Sequence, residues 1–334
     1  MRPIPTAFLT FALLLTHIAG AVGQPPTCRG KSMLDELKGT PEHAAILAKA
    51  AATENAGALL WRIERDGKPP SHLFGTMHLT DERIATFSPA LKGALAGSRH
   101  LLLEVDAEDL TPNGVAKALL RARPLLTFND GRRLDRLLSE TEYAKAVGIL
   151  EQAGVPAQAA SLFKPWVAAM MLALSDCERQ RTAHGLVALD QRLAREGASL
   201  GIAIEGLESL DLQFRAMADV PEADQLQMLR AGLRMYDRVD DMIETTVQLY
   251  LARQLGAIWP LQLALSEKVG VPPAAFDAME RNLLARRNLG MRDKALPFLD
   301  RGGVMIAVGA LHLPGKQGLV ALLRDAGYTV SPIE

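Results

Sequence analysis

Two stretches of this chain share an arrangement suited to chemistry. HLFGTMHLTD (72–81) runs from apolar residues to Gly75, then two residues, then His78 and a polar turn. IAVGALHLPG (306–315) does the same with Gly309 and His312. Glycine permits unusual dihedrals and a close approach of backbone to ligand. Neutral imidazole binds divalent metals or moves protons near neutral pH. The bare Gly-x-x-His pattern is weak: with 27 Gly and 7 His, chance supplies roughly 0.6 matches. A third match, Gly97/His100, opens an apolar run instead of closing one. Ligands gather beyond the carboxyl ends of α/β strands, so His100 belongs at the opposite edge if its strand runs parallel to the other two.

An acid strengthens the pairing. Glu104 follows three leucines in LLLEVD (101–106), where a carboxylate is costly unless paired or bound to a cation. Asp106, two residues on, shares its face. His78, His312 and Glu104 together offer two nitrogens and one carboxylate, a set suited to a divalent ion with positions left for water. The expected separation of their ligand atoms is roughly 3–5 Å. A salt bridge from Glu104 to one of the arginines is the competing role. Further candidates are Asp190 in GLVALDQRL, Glu208 in IAIEGLESLDLQ, and Arg286, Arg287 and Asn288 in ARRNLGM. A fixed guanidinium there would bind a carboxylate or an oxyanion; exposed surface charge is the alternative for each.

The elements that must position these groups are α/β. Strands are expected at 58–65 and 71–78, joined by an Asp66-Gly67 turn, and at 100–106, 200–208, 303–312 and the C-terminus. A helix is expected over 31–57, and a short one from Pro89 to Gly97. Long helical blocks fill about 108–196 and 209–298, with breaks at Pro112, Pro124, Gly154-Val155-Pro156 and Pro165. The expected architecture is a central β-sheet built from N- and C-terminal βα units carrying the two motifs, with two large helical insertions.

The first 23 residues read as a signal peptide: Arg2, then the apolar AFLTFALLL, then small residues before Gln24. That leaves a single mature domain over 24–334, exported to a periplasm or the exterior. No later run is apolar enough to span a membrane, and a formal charge of −1 gives no pull toward nucleic acid. Cys28 and Cys177 are the two cysteines; in an oxidising compartment they pair. Two tempting motifs fail on context. Gly197 to Gly201 fits G-x-S-x-G but runs from helix to strand, leaving Ser199 as a loop residue. Gly309 to Lys316 has five residues between its glycines, one too many for a P-loop.

The motifs CRGKSMLDEL, LLWRIERDGKPPSHLFGTMHLTDERI, LLLEVD, CERQRTAHGLVALDQRL, GLESLDLQ, RRNLGM and VGALHLPGKQGLVALLRDAGYTV resemble the TraB/GumN family, which includes the Tiki proteases. The resemblance extends from about 28 to 332. It implies a fold related to erythromycin esterase and the ChaN haem-binding proteins. It also implies a metal-dependent hydrolase, a peptidase in the Tiki branch, using manganese or cobalt on a peptide or small-molecule substrate. The family histidines fall on His78 and His312, its glutamate on Glu104 as third ligand or general base, and its arginine on Arg287, with Arg281-Asn282 as a competing pair. The alternatives are a haem- or metal-binding envelope protein without turnover, and a structural accessory of an envelope polysaccharide system.

Overall fold

The computed structural model describes residues 24–334 except positions 29, 107 and 110. The targeting segment at 1–23 lies outside the described residues. One six-stranded sheet organises the chain: β1 (Leu60–Glu64), β2 (Ser71–Thr76), β3 (His100–Val105), β4 (Ala203–Glu208), β5 (Val304–Gly309) and β6 (Thr329–Pro332), in the order β4-β3-β5-β2-β1-β6. β1 is antiparallel to β2 and to β6, while β2, β5, β3 and β4 pair in parallel. The β1–β2 turn is closed by Lys68 N–H donating to the Arg65 carbonyl at 3.1 Å, with Gly67 at φ 70°.

The apolar runs are continuous because the sheet is covered on both faces. Alternate residues enter different cores. Leu101, Leu103, Met305 and Ala307 face one apolar cluster, while Leu102, Val304, Ile306 and Val308 face another. Glu104 follows Leu102 at period two, so it ends the second face. The helix Arg287–Leu299 covers that face with Met291, Ala295 and Leu299. A third core, including Phe163, Trp166, Leu229 and Leu233, lies wholly within the helical insertions.

Several boundaries differ from the sequence reading. The helix expected at 31–57 is two, Met33–Glu36 and Pro41–Ala52. Gly39 at φ 80° turns the chain, and Thr40 caps the second with Pro41 in its first turn. Pro124 does not stop its helix at the preceding residue; Pro112–Leu126 continues two residues past it. Ser199 is the last residue of the helix Leu189–Ser199 and not a loop residue, although the order helix-then-strand holds.

Cys28 and Cys177 form a disulfide, with Cα atoms 5.6 Å apart and a sequence separation of 149. It ties the segment ahead of the first helix to the helix Asp176–Ala183. Closing a loop of that length stabilises the fold by roughly 3–5 kcal/mol. Cys28→Ser/Cys177→Ser is therefore expected to unfold at lower denaturant than the oxidised protein. Coincident unfolding curves would show that the bridge adds nothing.

Candidate functional site

The parallel strands deliver their carboxyl ends to one edge. β3, β5 and β2 are adjacent there, with Thr76 beside Gly309 and Leu103 beside Ala307. His78 lies two residues past β2, and His312 in a short turn, Ala310–His312, past β5. His100 starts β3 beside Val304, at the opposite edge.

Each imidazole is held by its Nδ1. Asn288 Oδ1 lies 2.6 Å from His312 Nδ1, and Asn288 Nδ2 donates to the Gln317 carbonyl at 2.7 Å. With the amide so oriented, its oxygen accepts from Nδ1–H and Nε2 is left with its lone pair. His78 Nδ1 lies 3.2 Å from Asp190 Oδ1, off line for a full hydrogen bond. The loop carrying His78 is clamped from below. Glu178 Oε2 accepts from the backbone N–H (3.1 Å) and hydroxyl (2.9 Å) of Thr80, and Arg181 Nη2 donates to the Thr80 carbonyl at 2.8 Å. Both clamping residues are buried and share their helix with Cys177.

Glu104 is the centre of the cluster. Its Oε1 accepts from Gly309 N–H at 2.5 Å and stands 3.7 Å from Nε2 of both His78 and His312. Its Oε2 accepts from Arg287 Nη2 at 2.7 Å and from Gln213 Nε2 at 3.2 Å. Glu208 takes Arg287 Nε at 2.9 and 3.1 Å and also contacts Nη2; Gln213 Nε2 reaches it at 2.9 Å. Arg287 Nη1 donates to the Leu283 carbonyl. The guanidinium expected to meet an oxyanion is thus the counterion of two buried carboxylates. Arg281 and Arg286 are exposed.

Two sequence candidates stand apart. Asp106 is exposed, and its carboxylate accepts from Gly206 N–H, tying β3 to β4 instead of joining the cluster. Gly75 gives no ligand access. A Cβ there would meet Ala310 Cα at 3.0 Å and Leu313 Cδ2 at 3.1 Å, so this glycine lets the β5 turn pack against β2. Gly309 does face the site: its Cβ would lie 3.0 Å from Glu104 Oε1 and 3.6 Å from the rings of His78 and His312. Gln213 and the His312–Asn288 contact were not foreseen. Gln213 carried no signal beyond its place five residues after Glu208.

Charge explains the titration. Asp190, Glu104 and Glu208 set three carboxylates against Arg287. Burial works to raise Glu104, but His78, His312 and Arg287 outweigh it and hold the carboxyl well below its usual range. Burial lowers His78, yet Asp190 and Glu104 push it up to about 10. Burial takes His312 down to about 4 against the pull of Glu104. A proton on His78 therefore supplies part of the positive charge that the carboxylates call for.

A divalent ion would supply the same charge. Ligands sharing a tetrahedral ion at about 2.1 Å stand about 3.4 Å apart, so the two 3.7 Å separations need close by only a few tenths of an ångström. Thr76 Oγ1, buried without a hydrogen-bond partner, lines the same small cleft as His78, Glu104, Asp190 and Gln213. Among the described residues, no group of three or more His, Cys, Asp or Glu is placed so as to hold a metal ion as it stands. Two imidazole nitrogens and a carboxylate oxygen are the donor types such an ion takes, and the side chains must move for them to share one.

A mixed α/β sheet with a His–Glu–Arg cluster beyond its parallel carboxyl ends defines the class. The chain belongs to the TraB/PrgY/gumN family, matched over residues 59–332. It is 23% identical over 264 residues to the uncharacterized protein YbaP of Escherichia coli, covering 78% of this chain and 90% of that protein. It is 26% identical over 341 residues to Metalloprotease TIKI1 of Homo sapiens, covering 88% of this chain and 65% of the relative. Metalloprotease TIKI2 of Danio rerio is 24% identical over 337 residues, with 87% and 64% covered.

Gly309→Ala tests the opening beside Glu104. The variant is expected to keep its fold and to lose at least tenfold in affinity for Mn(II), measured by calorimetry, because its methyl occupies the space between the three groups. Unchanged affinity would place any ion elsewhere.

Proposed function

We propose that the chain is an exported, metal-dependent hydrolase of peptidase type. The observation that carries this reading is Glu104 Oε1 standing equally far, 3.7 Å, from the Nε2 atoms of His78 and His312. The metalloprotease names of two relatives support it, although the chain spans only about two thirds of their length. The disulfide fits an oxidising compartment. No described helix is long and apolar enough to cross a membrane.

His78 and His312 would hold the ion through Nε2, with Asp190 and Asn288 setting the ring orientations. A bound divalent ion of the manganese or cobalt type supplies a polarised carbonyl or an activated water. Glu104 Oε1 faces the same space and serves as third ligand or as proton acceptor. Arg287 fixes the carboxylate through Oε2, and Glu208 and Gln213 fix Arg287. Arg287 thereby orients the acid and keeps it ionised, instead of meeting substrate directly.

Glu104→Gln separates chemistry from scaffolding. The amide oxygen can accept from Gly309 N–H, but its NH2 then opposes Arg287, a conflict worth about 1–3 kcal/mol. Glu208 still neutralises Arg287, so the fold is expected to survive. Peptide hydrolysis with Mn(II) is expected to fall at least about a hundredfold. Metal stoichiometry on the same sample assigns the role: it falls if Glu104 is a ligand and holds if Glu104 is the base. A variant that melts early yet hydrolyses normally would make Glu104 structural and end the proposal.

A further inference from the structure

The helical insertions line an open cavity of about 490 Å³ beside the cluster, with His78, Glu104, Gln213 and Arg287 among its lining residues. Its other walls differ sharply from this polar floor. His78, Glu104 and Arg287 are the only lining residues that carry charge near neutral pH; the rest are apolar or neutral. Six of the chain's 12 methionines line it: Met170, Met217, Met228, Met235, Met242 and Met279. A cavity of this size with a few polar groups has the anatomy of a ligand site. Methionine walls adapt to apolar shapes without offering hydrogen bonds, and a charged group among them would lose its hydration uncompensated.

From this segregation we infer that the cavity is a specificity chamber for an uncharged, bulky apolar substituent, carried by a substrate whose carbonyl rests on the polar floor. The inference rests on the hydrolase reading for the fate of the carbonyl but not for binding. An acyl chain and a large apolar amino-acid side chain present the same chemistry to the walls. The floor marks where the cleavable group lies, and the walls measure what is attached to it.

Gly232 offers a way to fill the chamber. It lies in the helix Glu222–Met235, and a Cβ there would meet only Leu172, at 3.8 and 3.9 Å, an ordinary contact. Gly232→Phe therefore adds volume without a backbone clash. Met170→Trp, at a residue 43% exposed, is the second filling variant should the first fail to fold.

The test is calorimetric titration of the full chain, with and without Mn(II), against N-acylglycines from butanoyl to hexadecanoyl. A parallel titration uses N-acetyl amides of glycine, leucine and phenylalanine. Affinity is expected to rise roughly three- to fourfold per added methylene until the chamber is full, with or without metal. Either folded filling variant should move the plateau to shorter chains. A steep acyl series with flat amides assigns the acyl source; selective binding of the leucine and phenylalanine amides assigns the side-chain source. Chain-length dependence without any turnover would keep the chamber and remove the enzyme. Turnover of short polar amides with a flat binding series, or filling variants that leave a steep series unchanged, would overturn the chamber.

Discussion

A carboxylate with 9% of its side chain exposed, placed straight after three leucines, must be surrounded by partners to remain charged. Glu104 has them on every side, and they come from distant parts of the chain. Gly309 N–H and Arg287 bind its two oxygens, Gln213 adds a third donor, and both histidines face Oε1. Removing any one partner leaves the others holding a charge in a low-dielectric place, where electrostatic terms are large. The sheet order β3-β5-β2 follows the same requirement, because only adjacent parallel strands can bring these three ends together.

The helix Arg287–Leu299 makes that arrangement possible from above. Arg287, Met291, Ala295 and Leu299 recur every four residues, so they share one stripe of the helix surface. The last three bury into the core that Leu102 and Ile306 also enter, and the first stands over Glu104. Asn288, one position on, faces His312. A π-helical turn, Arg281–Arg286, immediately precedes it. A π turn holds more residues than an α turn, so it changes which of the neighbouring arginines faces the sheet. Arg286 goes to solvent and Arg287 to the cluster.

The strand endings of β2 and β5 were legible because continuous apolar runs stop abruptly at Gly75 and Gly309, near or at the strand end. Glu104 was legible because its cost in LLLEVD demands an explanation. The cysteine pairing followed from composition and compartment. Other features were hidden for identifiable reasons. Asp106 shares the alternation of Glu104, but the strand ends between them and its carboxylate turns to the β4 backbone. The two glycines look equivalent in sequence, yet packing gives Gly75 a steric task and Gly309 an open one. Gln213 and Glu178 act across about a hundred residues of separation, and helical spacing carries no record of such contacts. Pro124 was expected to break the chain, and the helix nonetheless continues two residues past it to Leu126.

The site is divided into two zones, and the division has a physical consequence. The polar zone belongs to the sheet edge: its side chains are held by backbone groups and buried ions, and the Thr80 loop by Glu178 on the helix that the disulfide anchors. The apolar zone belongs to the insertions and is lined by adaptable side chains. If the cavity takes an apolar group as inferred above, that group would exclude water from beside Glu104 and the histidines, which would strengthen each electrostatic interaction there. Filling the walls would thus act on the floor without a change in any residue of the cluster. Under the proposed function, chemistry can stay fixed in the strand ends while recognition changes in the helices, and the two zones still touch: Leu265, Met235 and Met242 of the walls pack in the core that Leu103 and Ala307 of the sheet also enter.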